Sequence, residues 1–384
     1  MDLTKRDLLT SLAVLGTAGL AANAAAQDNN NEKTTKDSRF NVKDFGAKGD
    51  GVTQDSKAIQ DALDAAGKVG GTVWFPAGKY LCHQLKVPAS VKLEADPVWL
   101  YRTEQVGAVL VLDSEDADCL LDITGAYGVH IYGLVLAGDK FKNSQKQIHG
   151  IFLNNTEKFS PKEDSIVIDD TKISNFSGHG IYLKRIWLFI IRHSHCMGNR
   201  GSGIEIFGWD GFVTDNQLSG NGGNGFGCES CGATVMFTAN RVEWNGGYGL
   251  FLQNGDAWNV TGNCFDRNHG AGIHAINMQS TTMTGNVFRR CGKDSHKLVE
   301  GEQSCHVRLE RCRGTTLSSN VFQAGRDDGG KGKFTPQVGI IVKEMSYSVI
   351  SCNALFKGFM DTMLIDLGNH GPDFILRDNV GCKC

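Results

Sequence analysis

The chain has 384 residues and a formal net charge of −3 with acidic and basic residues intermixed, which excludes the dense positive field that nucleic acid or an anionic membrane surface demands. Glycine is abundant at 48 and proline scarce at 6, a balance that suits repeated short strands and excludes a proline-rich disordered chain. The 12 cysteines define no pairing by themselves in a chain of this length.

The first 26 residues read as a leader. Lys5 and Arg6 precede an apolar run from Leu8 to about Ala22, and Ala24-Ala25-Ala26 supplies a small-residue cleavage site before Gln27. Thr4-Lys5-Arg6 followed by Leu8-Leu9 resembles a twin-arginine export signal. The expected location is therefore periplasmic or extracellular. No later segment is long enough to cross a bilayer as a helix, so no membrane partner is expected. Residues 27–38 are polar and read as a flexible linker. Residues 39–384 read as one domain.

Phe40–Phe45 has the pattern of a strand. Ala58, Ile59, Ala62, Leu63 and Ala66 then share one helical face, and Asp55 is the expected N-cap. "GGTVWFPAGKYLC" follows as a strand, a Pro-Ala-Gly turn and a second strand. A short amphipathic helix before stacked strands covers the open end of a solenoid.

The solenoid is countable. Ile181, Ile204, Phe226, Leu250 and Ile273 each follow a glycine-rich join, at steps of 23, 22, 24 and 23 residues. About 23 residues per repeat hold two or three short strands and their corners, too few for a pair of helices. Asn216, Asn240, Asn263, Asn286, Asn320 and Asn353 recur at one phase. Stacked at a corner, they would bond from coil to coil and tolerate left-handed turn geometry, with glycine at the joins supplying the other corners. The expected architecture is all-β: a right-handed, single-stranded parallel β-helix from about Phe40 to Val380.

"FNVKDFGAKGDGVTQDSKAIQDAL" followed by "GGTVWFPAGKY" resembles the opening of pectate-lyase-superfamily β-helix proteins, among them polygalacturonase- and rhamnogalacturonase-like hydrolases, alginate-modifying epimerases and phage tailspike depolymerases. The resemblance implies a carbohydrate-active secreted protein and leaves the reaction open.

Side chains alternate along a strand, so outward columns can be assigned from the counted positions. One column runs Phe152, Tyr182, Glu205, Gly227, Phe251, His274, Arg308. The next runs Asn154, Lys184, Phe207, Glu229, Gln253, Ile276, Glu310. A third, on the other side, holds His149, His179, Ser202, Asn224 and Tyr248. Together they collect ionisable groups and aromatic rings on one face, as a groove for a linear polysaccharide requires. His179, Phe207, Phe251, Gln253, Glu310, Trp209 and Asp210 are the expected substrate-binding residues, and a polysaccharide or oligosaccharide is the expected partner.

Glu205 and Glu229 fall on adjacent coils, with Cβ atoms expected about 8 Å apart. That separation suits inverting glycoside hydrolysis, where about 6.5–9.5 Å between carboxyls admits a water, and hydrolysis is the leading reaction. A lyase needs a base near the sugar C5, a group that neutralises the uronate carboxylate and an acid for the leaving oxygen. Lys184 or His274 as base, Arg308 as neutraliser and Tyr182 as acid would meet that need. A non-catalytic carbohydrate-binding or surface-structural β-helix is the alternative of a different class. Gly178-His179-Gly180 resembles the histidine tripeptide of polygalacturonases, but it precedes the carboxylates and reads as a coil join. The Tyr-Gly-Phe-Asp-Pro-His sequence of alginate epimerases falls by phase on His179 to Lys184 with none of the catalytic types in place.

"CESC" at Cys228–Cys231 has metal-ligand spacing, but Cys228 is inward and reads as a buried thiol or disulfide rather than a metal site. Asp327 and Asp328 are candidate calcium ligands in a loop that reads as a solvated turn. No cofactor is expected. The C-terminal "CKC" is a candidate disulfide clasp. Trp187, Phe189 and Ile191 are either core or a side-by-side contact in a homo-oligomer.

The leader reading is testable directly. Changing Lys5 and Arg6 to Gln should retain the precursor in the cytoplasm in a fractionated culture, and unchanged export would remove the twin-arginine route.

Overall fold

The computed structural model describes residues 38–101, 106–156, 163–292, 303–323, 336–356, 360 and 362–381. The leader, Asp327 and Asp328, and the terminal Cys-Lys-Cys lie outside the described residues.

Every strand pairing given for the domain is parallel, and two sheets result, of 21 and 12 strands. Long strands such as Ile181–Arg192, Ile204–Thr214 and Leu250–Thr261 belong to the larger sheet and carry its pairing through a bend. The bend is set by residues in the left-handed region, including Arg185, Leu188, Asp210 and Asn254. Short strands such as His195–Met197 and Gln217–Ser219 build the smaller sheet. The counted positions pair as expected: Ile181 with Ile204, Ile204 with Phe226, Phe226 with Leu250, Leu250 with Ile273. The interior between the sheets is stacked apolar side chains. Phe265, Phe288 and Phe322 lie fully buried, with ring centroids 5.1 and 4.7 Å apart.

The helix spans Ser56–Gly67 and buries Ile59, Ala62, Leu63 and Ala66. Asp55 precedes it without making a side-chain cap. Its carboxylate instead accepts the backbone N–H groups of Lys48 and Gly49 at 2.7 and 3.0 Å, so it fixes the preceding loop. Phe40–Phe45 is part strand and part helix, with strand at Arg39–Asn41 and a 3-10 turn at Val42–Phe45.

The asparagine column is a continuous buried ladder. Asn216, Asn240, Asn263, Asn286 and Asn320 each donate Nδ2 to the Oδ1 of the next coil's asparagine at 2.9–3.1 Å, and Asn353 extends it to Asn379 at 2.9 Å. The left-handed residue is not the asparagine but the one before it, such as Asp215, Ala239 or Ser319. A second ladder runs through Asn199, Asn221, Asn245 and Asn268 at 2.8–3.0 Å, again with left-handed residues before it.

Gly198 and Gly220 at the joins do take left-handed corners, and the second ladder explains the remaining join glycines. Gly180, Gly203, Gly225 and Gly249 do not have positive φ. A Cβ there would stand 2.7, 2.8, 2.9 and 2.9 Å from the Nδ2 atoms of Asn199, Asn221, Asn245 and Asn268. These glycines leave room for buried amides; they do not supply corners.

Replacing Asn245 by Leu should destabilise the domain by more than about 3 kcal/mol, because several buried donors and acceptors lose partners at ~1–3 kcal/mol each. The exposed helix pair in which Lys57 donates to Asp61 at 2.6 Å is the control, and Lys57→Ala should shift stability by no more than about 0.5 kcal/mol. Urea midpoints of the two variants check this; equal shifts would contradict a special role for the ladder.

Candidate functional site

Register places Asp122, Phe152, Tyr182, Glu205, Gly227, Phe251, His274 and Arg308 in one outward column of the larger sheet. Lys184 pairs with Phe207 in the neighbouring column. Glu229 departs from that column, because its strand ends at Cys228. It stands exposed just beyond the strand end.

Gly227 decides how Glu205 sits. A Cβ at Gly227 would lie 2.2 Å from Glu205 Oε2, so the carboxyl rests over the bare backbone of the next coil. Covered in this way, Glu205 is pushed up to about 7 by loss of hydration; the Ser202 hydroxyl opposes the rise and the Glu229 charge adds to it. Tyr182, beside Glu205 in register, is also raised, first by burial and then by Glu205 and Glu229. Its hydroxyl keeps its proton.

The edge of this surface is a third ladder. His179 N–H donates to His149 Nδ1 at 3.0 Å, Ser202 N–H to His179 Nδ1 at 2.9 Å, Asn224 N–H to Ser202 Oγ at 3.2 Å, and Tyr248 N–H to Asn224 Oδ1 at 2.9 Å. An Nδ1 that accepts a hydrogen bond leaves the proton of a neutral imidazole on Nε2. Burial holds both histidines neutral, at about 4; the charge of His179 further lowers His149 while Asp118 raises it. Their rings stack at 5.3 Å, and Tyr182 stacks on each of them at 5.0 and 5.5 Å. The Gly-His-Gly stretch is thus a coil join whose histidine also faces the groove.

His179, Tyr182, Lys184, Glu205, Phe207, Asn224 and Glu229 line one open cleft of about 400 Å³. Lys184 is exposed, and no described side chain pairs with its ammonium. The cleft therefore combines a cation, a carboxyl that exchanges its proton near neutrality, a phenol and a second carboxylate. Ser202, Asn224 and Gly227 were not among the expected site residues. Their signal was present in the sequence, as the phase just before the counted apolar residue and the gap in the column after Glu205.

The other expected residues sit elsewhere. His274 lies four coils and Arg308 five coils from Tyr182, or roughly 19 and 24 Å at ~4.8 Å per coil. Both engage Glu310: His274 Nε2 at 3.6 Å, and the Arg308 Nε in a short hydrogen bond. The nearby His274 imidazole, with the contacts of Arg308, holds Glu310 down to about 2 even against its burial. The expected lyase set of Tyr182, Lys184, His274 and Arg308 is thereby divided between two places. Phe251 stacks on Tyr248 at 5.5 Å and meets the His274 ring edge-on at 5.7 Å, and Gln253 follows it outside the cleft. Asp210 is a corner residue whose carboxylate accepts the Trp187 indole N–H at 2.9 Å. Trp209 fronts an adjoining depression with Asn254, Asp256 and Asn277. Cys228 and Cys231 are buried free thiols, with Cys231 Sγ donating to the Cys228 carbonyl at 2.8 Å. Among the described residues no group of three or more His, Cys, Asp or Glu side chains is arranged to hold a metal ion.

Comparison with known proteins gives two family matches: "Right handed beta helix region" over residues 136–288, and "Rhamnogalacturonase A/epimerase, pectate lyase-like" over residues 39–97. The chain is 32% identical over 197 residues to mannuronan C5-epimerase AlgE2 of Azotobacter vinelandii, covering 47% of this chain and 18% of that protein. It is 67% identical over 42 residues to alginate lyase 7 of the same organism, covering 11% of this chain and 5% of that protein. It thus spans only a minor part of the length of these relatives. The A-module of A. vinelandii mannuronan C-5 epimerase AlgE4 superposes with a TM-score of 0.62 at 19% identity, over 89% of this chain and 96% of that one, a likeness of fold.

The half-buried Glu205 has a consequence for stability. Its folded pKa lies above the ordinary value of 4.5, at about 7, so between these values the native state binds more protons than the unfolded chain and stability falls as pH rises. Above about 7 the loss is complete. Denaturant midpoints followed across this range should show the decline in the wild-type protein and a smaller one in Glu205→Gln; parallel curves would contradict the burial argument.

Proposed function

Because the chain is a pectate-lyase-superfamily right-handed β-helix protein, we propose that its cleft acts on a uronate-containing polysaccharide by removing the proton at C5, the carbon that bears the carboxylate. The observation that carries this reading is the exposed Lys184, unpaired among the described residues, sharing a cleft with Tyr182 and with a Glu205 carboxyl whose pKa is raised to about 7. Glycosidic hydrolysis of a neutral glycan has no use for that cation, whereas a uronate carboxylate does. The names of the mannuronan epimerase and alginate lyase relatives support the same substrate class.

In this mechanism Lys184 offsets the negative charge that grows on the sugar carboxylate as the C5–H bond breaks. Glu205, ionised in part at neutral pH, takes the proton. If the C4–O4 bond then breaks, Tyr182 protonates the departing oxygen and a C4–C5 double bond remains. If instead a proton returns to the opposite face of C5, the product is the epimer. The two outcomes share their first step and differ only in where the second proton goes. His179, neutral with its proton on Nε2, is a donor for a sugar hydroxyl.

Inverting hydrolysis is the second reading. It is favoured by the presence of two carboxyls in one cleft, with Glu205 pushed up as the acid and Glu229 as the base. Export through the residue 1–26 leader is part of the proposal, since a polymer substrate lies outside the cell.

Incubation of the protein with mannuronan, pectate and a neutral glucan in heavy water separates the readings. Deuterium at C5 of a saturated product, from epimerisation, or an unsaturated chromophore, from elimination that leaves no hydrogen on C5, is the expected result. New reducing ends without either would replace it with hydrolysis, and binding without chemistry would make the protein a carbohydrate-binding module. Glu205→Gln should lower kcat by about 10²–10⁴, while Lys184→Ala should impair turnover of uronate polymers.

A further inference from the structure

A second cleft, of about 740 Å³, lies on the smaller sheet. Its size falls within the ~300–1,000 Å³ typical of small-molecule sites. Leu81, Val109, Val111, Ala137 and Met197 are among its lining residues.

The segment Pro97–Tyr101 packs over neighbouring strands of this sheet. The Trp99 indole N–H donates to Asp170 Oδ1 at 2.9 Å. The Tyr101 ring stacks on His195 with centroids 5.0 Å apart, and its hydroxyl accepts from Gln217 Nε2 at 2.9 Å. Lys172 secures the segment from below, donating to the carbonyls of Leu100 and Tyr101. Trp244 also lines the cleft; it is 39% exposed, with the Arg267 guanidinium 4.5 Å from its ring centroid.

Lys172 is the unusual element. The residue is 2% exposed, yet it lines the cleft. Two of its three N–H groups go to carbonyls. Among the described residues no carboxylate lies within ion-pair distance of its ammonium, and burial lowers its pKa. A buried charge is costly unless an opposite charge completes it. Asp139 raises the Lys172 pKa only from a distance and is itself engaged by Asn175 Nδ2 at 2.7 Å. A ligand carboxylate in the cleft would supply the missing partner. Tyr101 and Trp244 offer ring faces of the kind that stack on sugars, and Asp139, Asn175, Ser174 and Ser219 offer partners for hydroxyls.

We propose that this second cleft binds a short acidic oligosaccharide, with a sugar carboxylate on Lys172 and a ring face against Tyr101 or Trp244. The site lies on the other sheet from Glu205 and does not depend on turnover there.

Isothermal titration of the full chain with short oligomannuronate and oligogalacturonate tests the proposal, using Glu205→Gln to prevent turnover. Lys172→Gln keeps a donor for the two carbonyls and removes the charge; Trp244→Ala removes one ring without touching the core. Lys172→Gln should weaken binding at this site by about 10-fold or more. Trp244→Ala should weaken it by about 3- to 10-fold. The carboxyl-reduced oligosaccharide should bind weakly and be insensitive to Lys172→Gln. Binding that persists in Lys184→Ala and disappears in Lys172→Gln supports the second cleft even if the Glu205 cleft proves inactive. Binding that is unaffected by both second-cleft variants, or inorganic phosphate competing as well as the oligosaccharide, would overturn the proposal.

Discussion

Each coil must bury the amides of its corners, and the rest of the domain depends on how that is done. A corner removes a residue from the sheet ladder and leaves polar groups facing an apolar interior. Here the orphaned groups are met by asparagines. The Asn245 amide donates both to Asn268 Oδ1 at 2.8 Å and to the Leu218 carbonyl at 3.0 Å, while its own Oδ1 accepts from the Asn221 side chain at 2.9 Å. Such a ladder leaves no member unsatisfied, so it tolerates burial that would otherwise be costly. Where it ends, at Asn268, the partner is the Cys291 sulfur at 3.5 Å. Two neighbouring constraints follow from it: a left-handed residue before each asparagine, and a glycine opposite the second ladder where a side chain would collide with the amide.

Fixing the corners fixes the register, and register turns a one-dimensional pattern into a site. Residues far apart in sequence become neighbours at the spacing of adjacent coils. The outward face then carries carboxylates in contrasting states. Glu205 lies against the backbone of Gly227 with little but a serine hydroxyl to compensate its lost hydration, and rises to about 7. Glu310, on the same face, is engaged by His274 and Arg308 and falls to about 2. The residue type is the same; the neighbours decide whether it exchanges a proton near neutrality or serves as a fixed anion. By the same logic Lys184 is available to a ligand whereas Arg308 is occupied.

The two sheets present different chemistry because different things cover them. On the larger sheet the groove is open, and its edge is a ladder of imidazole, hydroxyl and amide acceptors that holds the cleft walls rigid. On the smaller sheet a segment from early in the chain packs across later coils, with Tyr101 near Glu243 and Gln217. That crossing creates walls where the bare coils alone would offer a flat surface, and it encloses the Lys172 ammonium.

Much of this was legible in the sequence because a parallel coil repeats its own phase. The 22–24 residue recurrence identified the solenoid, the asparagine phase identified one ladder, and alternation along the strands put Tyr182 beside Glu205 and His274 beside Arg308. The second asparagine ladder was equally periodic, in Asn199, Asn221, Asn245 and Asn268, but the glycines beside it suggested turns. Only their closeness to the amides shows that they provide space. What repetition could not carry was decided in three dimensions. Glu229 left its column because its strand stops at Cys228; His274 and Arg308 were captured by Glu310; Glu205 acquired its protonation behaviour from the missing side chain at Gly227. The segment ending at Tyr101 reaches partners up to 142 positions away. Sequence determines which residues share a phase, since phase is a property of the chain. It does not determine which charges find partners or lose water, because those depend on distances that exist only once the coils are stacked.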